Sequence, residues 1–311
     1  MFDTIFTTLL PVAFVVLVGY FAGRNSFKVS DRTLLTKLVL DWLLPALLFS
    51  GIVKTPRADL LNYKIPLVFF VGLMVPYVTV LLVCRFVLRY DRKVATLRAG
   101  LLTFPDMVFM GVPILGQIFG PSSLYLILIA NLIPSLIIIP LTTLLLSLGS
   151  GKDEGGGAGV FIKTLGKATR EPKVWAPLLG IVLVALNLHI PQFVIRSLDL
   201  MGQPTTGLSL FVVGLILAEE KIRLTALVTF DSLVKNLVHP AFMAVTVFAL
   251  GLSGVIAREA ILLAALPSAV LMSVFAEEHN TLTSESSTAV LETRILSFAT
   301  IPVVFLLTRH F

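Results

Sequence analysis

Charged residues, cysteines and histidines are all scarce in this chain, and each scarcity excludes a class of function. Charged residues make up 14% of the 311 residues, well below their share in a soluble domain. A single cysteine, Cys84, excludes a disulfide within the chain and a site built from several thiolates. The four histidines are scattered, and neither a zinc-protease, a nucleophile-elbow nor a Walker motif occurs. We therefore expect no metal centre, no cofactor and no enzymatic activity.

Apolar residues dominate the chain instead. They supply 57% of the residues, and the mean hydropathy is +0.97, which is typical of a protein in a lipid bilayer. A helix needs about 20 apolar residues to cross a bilayer. The uncharged runs predict ten spans, which are residues 4–23, 38–53, 65–84, two within 99–151 separated at Gly120, 174–195, 200–218, 236–257, 260–276 and 286–308. The predicted fold class is an all-α membrane protein.

Prolines at matched positions indicate an internal duplication. Pro105 and Pro267 lie in apolar segments that share a proline, a valine and a methionine at a constant offset of 162 residues, and Pro140 and Pro302 repeat this offset. Matched prolines in two apolar halves are typical of transporters with broken helices near the midplane. Five spans per half make the duplication inverted. We predict one five-helix repeat in residues 1–149, a flexible cytosolic linker loop in 150–173 and the second repeat in 174–311.

Basic residues predict the orientation. With both termini outside, the inside loops hold 17 lysines and arginines and the outside segments hold 6. The net charge of +6 follows from this asymmetry. We expect anionic lipid at the inner surface as its counterpart, and no nucleic-acid partner.

Four charged residues lie within the predicted spans: Asp41, Asp106, Glu292 and Arg294. A charge near the middle of a bilayer is unfavourable by roughly 2.5 to 3.5 kcal/mol, so it normally faces the bundle interior and has a partner or a pathway role. Asp41 follows Lys37 by one helical turn, which predicts an ion pair between them at the interface. The other three charges are the candidates for function.

Arg294 is the only basic side chain in any predicted span. Its planar guanidinium suits a carboxylate, which makes it the first candidate for an anion contact. A structural ion pair with Asp106, Asp41 or Glu292 is the alternative, and the sequence leaves both open. Glu292 lies two residues away and points about 160 degrees off on an ideal helix, which makes it a poor partner.

Asp106 directly follows Pro105 at the presumed break of the fourth span. Its carboxylate could cap the second half-helix or carry a proton. Its counterpart Ser268 is also a good helix cap, which favours capping. Glu292 could pair across the bundle or carry a proton, so Asp106 and Glu292 are the two coupling candidates.

These segments resemble one transporter family. The run 104–115, with a proline, Asp106 and then Met-Gly-Val-Pro residues, resembles the fourth-span signature of the auxin efflux carrier family, in which asparagine usually follows the proline. The run 264–280 is similar to that family's ninth-span crossover, and spans two and six resemble bacterial members described as malonate transporters. This chain departs from the family's pattern in two ways. Asp106 stands in place of the usual asparagine, and Glu292 and Arg294 lie in a stretch that is often Ser/Thr-rich.

The resemblance implies two inverted five-helix repeats, divided into a scaffold and a transport domain, with the fourth and ninth spans crossing at their prolines. It also implies an elevator-type movement, a small carboxylate such as malonate as substrate, a homodimer formed through the scaffold, and a bacterial cytoplasmic membrane as the location. The expected substrate-binding residues are Arg294, Asp106, Pro105, Met107, Pro267, Ser268 and Pro45.

Three functions follow from these observations. The first is a secondary carrier of small organic anions, coupled to protons, sodium or the membrane potential. The second is a cation/proton antiporter on a related crossover fold, with Asp106 and Glu292 as ion sites. The third is a non-transporting membrane receptor that signals through the linker loop.

Overall fold

A computed structural model describes residues 2–148, 156–219 and 225–310. These residues form helices and connecting turns, and no strand occurs among them; an isolated antiparallel bridge joins Pro105 and Ser268. The predicted all-α class is confirmed for this part of the chain.

Six helices of the described residues are long and apolar enough to cross a membrane. They are α2 (Val29–Val53), α3 (Lys64–Val87), α6 (Ser123–Ser147), α9 (Gln192–Glu219), α10 (Ala226–Ala249) and α13 (Thr283–Leu307). The remaining helices are α1 (Phe2–Asn25), α4 (Arg92–Thr103), α5 (Met107–Phe119), α7 (Gly156–Ala168), α8 (Pro172–Ala185), α11 (Gly254–Ala264) and α12 (Leu271–Glu278), besides the single turns Arg57–Leu60 and Thr308–His310.

Five-residue π-helical segments interrupt several of these helices. Prolines accompany most of them: Pro45, Pro113 and Pro240 each lie two residues after such a segment, and Pro134 begins one. Proline lacks the N–H that would bond the carbonyl four residues earlier, so a locally wider turn accommodates it. The helices therefore continue past these prolines.

The chain divides into two compact units, and each unit combines segments from both halves of the sequence. Unit 1 comprises Met1–Ile65, Met107–Ile129 and Arg170–Glu220, and unit 2 comprises Pro66–Asp106, Ala130–Thr169 and Lys221–Phe311. The compact units thus cut across the two predicted repeats.

Glycines bring the helices of unit 1 into close contact. A side chain at Gly19 on α1 would collide with the Phe211 carbonyl on α9, and one at Gly214 on α9 would collide with the Val16 carbonyl on α1. Gly202 meets the backbone of Leu47 on α2 in the same way. Small residues allow such approach, and the resulting contacts are mainly van der Waals.

Two predicted span boundaries and the linker need correction. Helix α8 ends at Ala185 and a new helix begins at Gln192 after Pro191, so no single span covers 174–195. Helix α10 begins at Ala226, ten residues before the predicted start of the span 236–257, so Lys235 lies within the helix and not in the loop predicted to precede that span. Part of the predicted flexible linker is helix α7, because its half-buried Val160, Phe161 and Leu165 share one face and offset the entropy of its glycines. Residues 150–155 of that linker lie outside the described residues.

Candidate functional site

Two broken helices meet in unit 2 at the prolines that the sequence singled out. Helix α4 ends at Thr103, and α11 ends at Ala264. The segments that follow, 104–106 and 265–270, are called the crossover below. The Asp106 N–H donates to the Pro267 carbonyl over 2.8 Å, and the Ala269 N–H donates to the Phe104 carbonyl over 2.9 Å. Each break therefore satisfies backbone groups that the other exposes.

Ser268 ties the crossover to two neighbouring helices. Its Oγ donates to the Leu101 carbonyl on α4 over 2.5 Å, and its N–H donates to Thr293 Oγ1 on α13 over 3.1 Å. The cap position of α12 is Val270, without a side-chain bond. The expectation that Ser268 caps α12 is therefore wrong, because its hydroxyl donates to the buried Leu101 carbonyl of α4 instead.

Arg294 and Asp106 form an ion pair inside the protein. Arg294 Nη2 donates to Asp106 Oδ2 over 2.8 Å, and the two residues are 1% and 4% exposed. The Arg294 Nε and Nη1 atoms are buried, and neither has a hydrogen-bond partner among the described residues. A buried charged group with unmade hydrogen bonds is unfavourable. The guanidinium thus has two donor atoms that a further acceptor could satisfy.

Glu292 points to α10 and not to Arg294. Thr229 Oγ1 donates to Glu292 Oε1 over 2.8 Å, and Ser232 Oγ donates to Oε2 over 3.0 Å. The prediction that Glu292 is a poor partner for Arg294 is confirmed. Among the described residues, two neutral hydroxyls of α10 thus bind its carboxylate.

The structure adds a buried lysine and its neighbours to the site. Lys235 on α10 donates from Nζ to the Ala264 and Leu266 carbonyls over 2.8 and 2.7 Å, and its side chain is fully buried. Asn236 donates from Nδ2 to the Thr293 carbonyl over 2.9 Å. The uncharged run predicts a span that begins at residue 236, directly after Lys235, so the sequence does not predict a lysine inside the helix.

A second ion pair lies in unit 2 between α4 and α10. Arg98 Nη2 donates to Asp231 Oδ2 over 2.6 Å, and the guanidinium lies 4.9 Å from the centre of the Tyr90 ring. A cavity of about 100 Å³ adjoins this pair, with Glu285 in its lining. Asp231, Lys235 and His239 recur at four-residue spacing on α10, and a polar helix face could have been predicted from that spacing.

The remaining predicted residues belong to unit 1. Asp41 is exposed and, within the described ranges, forms no ion pair with Lys37. That predicted pair is wrong because the π segment Val39–Leu43 widens the turn and alters which side chains face each other. Pro45 and Met107 are both buried. No group of three or more potential metal ligands occurs in the part of the chain that the structure describes.

Comparison with known proteins shows the family. The family described as "Membrane transport protein" matches residues 4–155 and 158–305. The chain belongs to this membrane transport protein family. A similar protein is the uncharacterized transporter YfdV of Escherichia coli K12, with 29% identity over 294 residues and 93% of each chain covered.

Plant relatives match a shorter part of the chain. Auxin efflux carrier component 3 of Arabidopsis thaliana is 32% identical over 139 residues, which are 42% of this chain and 22% of the relative. The probable auxin efflux carrier component 1b of Oryza sativa is 34% identical over 140 residues, which are 25% of that relative. The resemblance to auxin efflux carriers is confirmed. The chain is a multi-pass membrane transporter with a transported substrate, and not an enzyme.

Proposed function

We propose that this transporter is a secondary carrier of small organic anions, in which Arg294 at the crossover receives a carboxylate of the substrate. The observation that carries the proposal is the pair of buried Arg294 donor atoms, Nε and Nη1, that lack a partner among the described residues. Arginine binds carboxylates strongly because its donors lie in a planar fork.

The other predicted contacts of the substrate fall into two groups. Asp106, Pro105, Pro267 and Ser268 belong to the crossover. Helix α12 begins just after it, and its N-terminal amides favour negative charge. Pro45 and Met107 belong to unit 1 and are further predicted contacts. Malonate and related carboxylates are the substrates we would test first.

Asp106 and Glu292 are the groups we propose for coupling. Asp106 already occupies one donor of Arg294, so a carboxylate substrate brings a second negative charge to the same guanidinium. Protonation of Asp106 would relieve that repulsion, which links anion binding to a proton. Glu292 accepts from hydroxyls, which can donate or accept, so its surroundings tolerate either protonation state. Coupling to sodium or to the membrane potential is the alternative.

The proposed architecture is ten spans in two inverted repeats. Ten spans result when α4 with α5, and α11 with α12, each count as one broken span and α7 counts as none. In this proposal the scaffold consists of α1, α2, α8 and α9, which all belong to unit 1, and the other spans move as the transport domain. Both termini lie outside a bacterial cytoplasmic membrane, with the linker in the cytosol. The proposed architecture also includes anionic lipid at the inner surface and a homodimer formed through unit 1.

A cation/proton antiporter is the second candidate. Glu292 favours it, since its carboxylate lies in unit 2 and forms no ion pair with a basic side chain among the described residues. In that case Asp106 and Glu292 hold the ions and Arg294 is structural. Charge-neutral variants separate the two: Asp106→Asn would abolish ion exchange but be tolerated by an anion carrier, because asparagine is usual at this position in the family.

The test is uptake of labelled mono- and dicarboxylates into proteoliposomes, with and without a pH gradient. The wild type is compared with Arg294→Gln and with the double variant Arg294→Gln/Asp106→Asn. The double variant removes both charges, so it avoids the unpaired buried aspartate that the single variant leaves. We expect saturable uptake by the wild type and none by either variant.

Two outcomes would contradict the proposal. Uptake by the folded double variant at the wild-type rate would make Arg294 structural. Absence of uptake of every acid tested, together with proton release driven by sodium or potassium, would establish the antiporter. Arg32→Gln, which removes a partly exposed ion pair with Glu219, is the matched control and should transport normally.

A further inference from the structure

Lys235 is a fully buried lysine that pairs with backbone and not with an acid. Its Nζ donates to the Ala264 and Leu266 carbonyls, and within the described residues no carboxylate forms an ion pair with it. Asp231, one turn earlier on α10, pairs with Arg98 instead. A buried ammonium is costly unless its surroundings supply compensating negative charge.

The compensating charge comes from the end of a helix. The last carbonyls of a helix have no partner within it and carry the negative end of its dipole. Ala264 is the last residue of α11, and Leu266 lies in the break that follows. Lys235 therefore occupies the position at which a cation is most favourable beside this break.

The other break differs at the corresponding position. The Phe104 carbonyl, which corresponds to that of Leu266 at the offset of 162 residues, accepts from the neutral Ala269 N–H over 2.9 Å. A carbonyl of one break is thus satisfied by a neutral donor, and its counterpart in the other break by a full positive charge. Satisfying a carbonyl does not require a charge, so the charge of Lys235 needs an explanation of its own.

Carbonyls at unwound helix ends are also ligands for monovalent cations in membrane transporters. We propose that the Lys235 ammonium is a built-in cation that fills such a carbonyl site, and that its removal creates a binding site for a small monovalent cation. In the wild type the site then takes no dissolved sodium or potassium. This inference concerns cation binding and holds whatever substrate the protein carries.

The test is thermal unfolding of purified Lys235→Ala in detergent at constant ionic strength. Choline chloride, whose cation is too large for the site, is replaced stepwise by sodium, potassium or methylammonium chloride. We expect the variant to melt several degrees below the wild type in choline. We also expect at least one of the three small cations to raise its melting temperature saturably, whereas the wild type does not respond.

Two further variants act as controls. Lys235→Met keeps the length of the side chain without the charge, so it should melt low and not respond to cations, because its methyl group fills the space. Lys54→Ala removes an exposed lysine that pairs with Asp199 in unit 1. Its melting temperature should be the same in all four salts.

Specific results would overturn the inference. One is a Lys235→Met variant as stable as the wild type, and another is a Lys235→Ala variant whose melting temperature is the same in all four salts. If Lys235→Ala unfolds when it is extracted from the membrane in choline chloride, the extraction is repeated in sodium, potassium and methylammonium chloride. Recovery of monodisperse protein only with a small cation supports the site, and failure with all of them counts against it. If no uptake of carboxylates is found, the melting temperatures in the four salts still test the cation site. The anion-carrier proposal and the cation-site proposal can therefore fail independently.

Discussion

Unit 1 and unit 2 are stabilised in different ways. Unit 1 holds its helices together through glycines such as Gly19 and Gly214, and its ion pairs, Lys54 with Asp199 and Arg32 with Glu219, are partly exposed. Unit 2 buries ion pairs, Arg294 with Asp106 and Arg98 with Asp231, and one lysine. Close backbone contact suits a part of fixed shape, whereas buried charge is unfavourable and is kept where it has a task. This contrast is the basis for the proposal that the buried charges of unit 2 take part in transport.

The largest effect is expected from breaking the buried pair of unit 2. Arg294→Gln should lower the stability by roughly 3–5 kcal/mol, because it leaves the Asp106 charge unpaired. Arg294→Gln/Asp106→Asn should recover most of that loss, since no charge is left unpaired. Denaturant unfolding in detergent measures both. Equal destabilisation of the single and the double variant would show that packing and not charge dominates.

Adding a side chain at the glycine contact of unit 1 should have the next largest effect. Gly214→Val places atoms against the Val16 carbonyl and the Tyr20 amide, and a backbone cannot move aside as a side chain can. We expect a loss of about 1–3 kcal/mol or more. Gly207→Ala on the same helix α9 is the matched control, because nothing lies within 4 Å of its added Cβ. That control should be neutral or slightly stabilising.

A charge at the surface of unit 2 should matter less than its buried charges. Asp91 caps α4 by accepting from the Lys93 N–H over 2.9 Å, and this bond lowers the pKa of Asp91 below its ordinary 3.8. Asp91→Ala should cost about 1 kcal/mol, whereas Asp91→Asn should cost little because asparagine also caps.

The same residue predicts a pH dependence. A lowered pKa means that the stabilisation is complete above the unfolded value of 3.8 and is lost as the pH falls through the folded value. The difference between the wild type and Asp91→Ala should therefore stay constant from pH 7 to about 5 and shrink below pH 3.8. Unfolding curves at several pH values measure it, and a difference that grows on acidification would contradict the assignment.

The smallest effect is expected from the exposed ion pair of unit 1. Lys54 and Asp199 are half-exposed and one-third exposed, so their pair should contribute about 0.2–1 kcal/mol and weaken with salt. A double-mutant cycle with Lys54→Ala and Asp199→Ala, at low and high salt, gives the interaction energy. A value as large as that of the Arg294 pair would remove the contrast between the two units.

Much of the fold could be read from the sequence because the signals are local. An apolar run long enough for a bilayer predicts a helix, and proline at the matched positions 105 and 267 predicts a break in it. The predicted span boundaries are wrong where a charged residue lies inside a helix, as Lys235 does. Such a charge is tolerated inside the membrane when carbonyls surround it, and those carbonyls lie 29 and 31 residues along the chain.

The sequence by itself determined that this protein is a helical membrane transporter with two breaks, and it named Arg294 and Asp106 as charges that need an explanation. Only the tertiary structure decided that these two residues pair, because they lie 188 positions apart and the geometry of their contact depends on how α13 packs beside the crossover. The same holds for Lys235, whose partners are backbone atoms that any residue could supply. Hydrophobic length is a property of each segment, whereas the partner of a buried charge is a property of the folded unit.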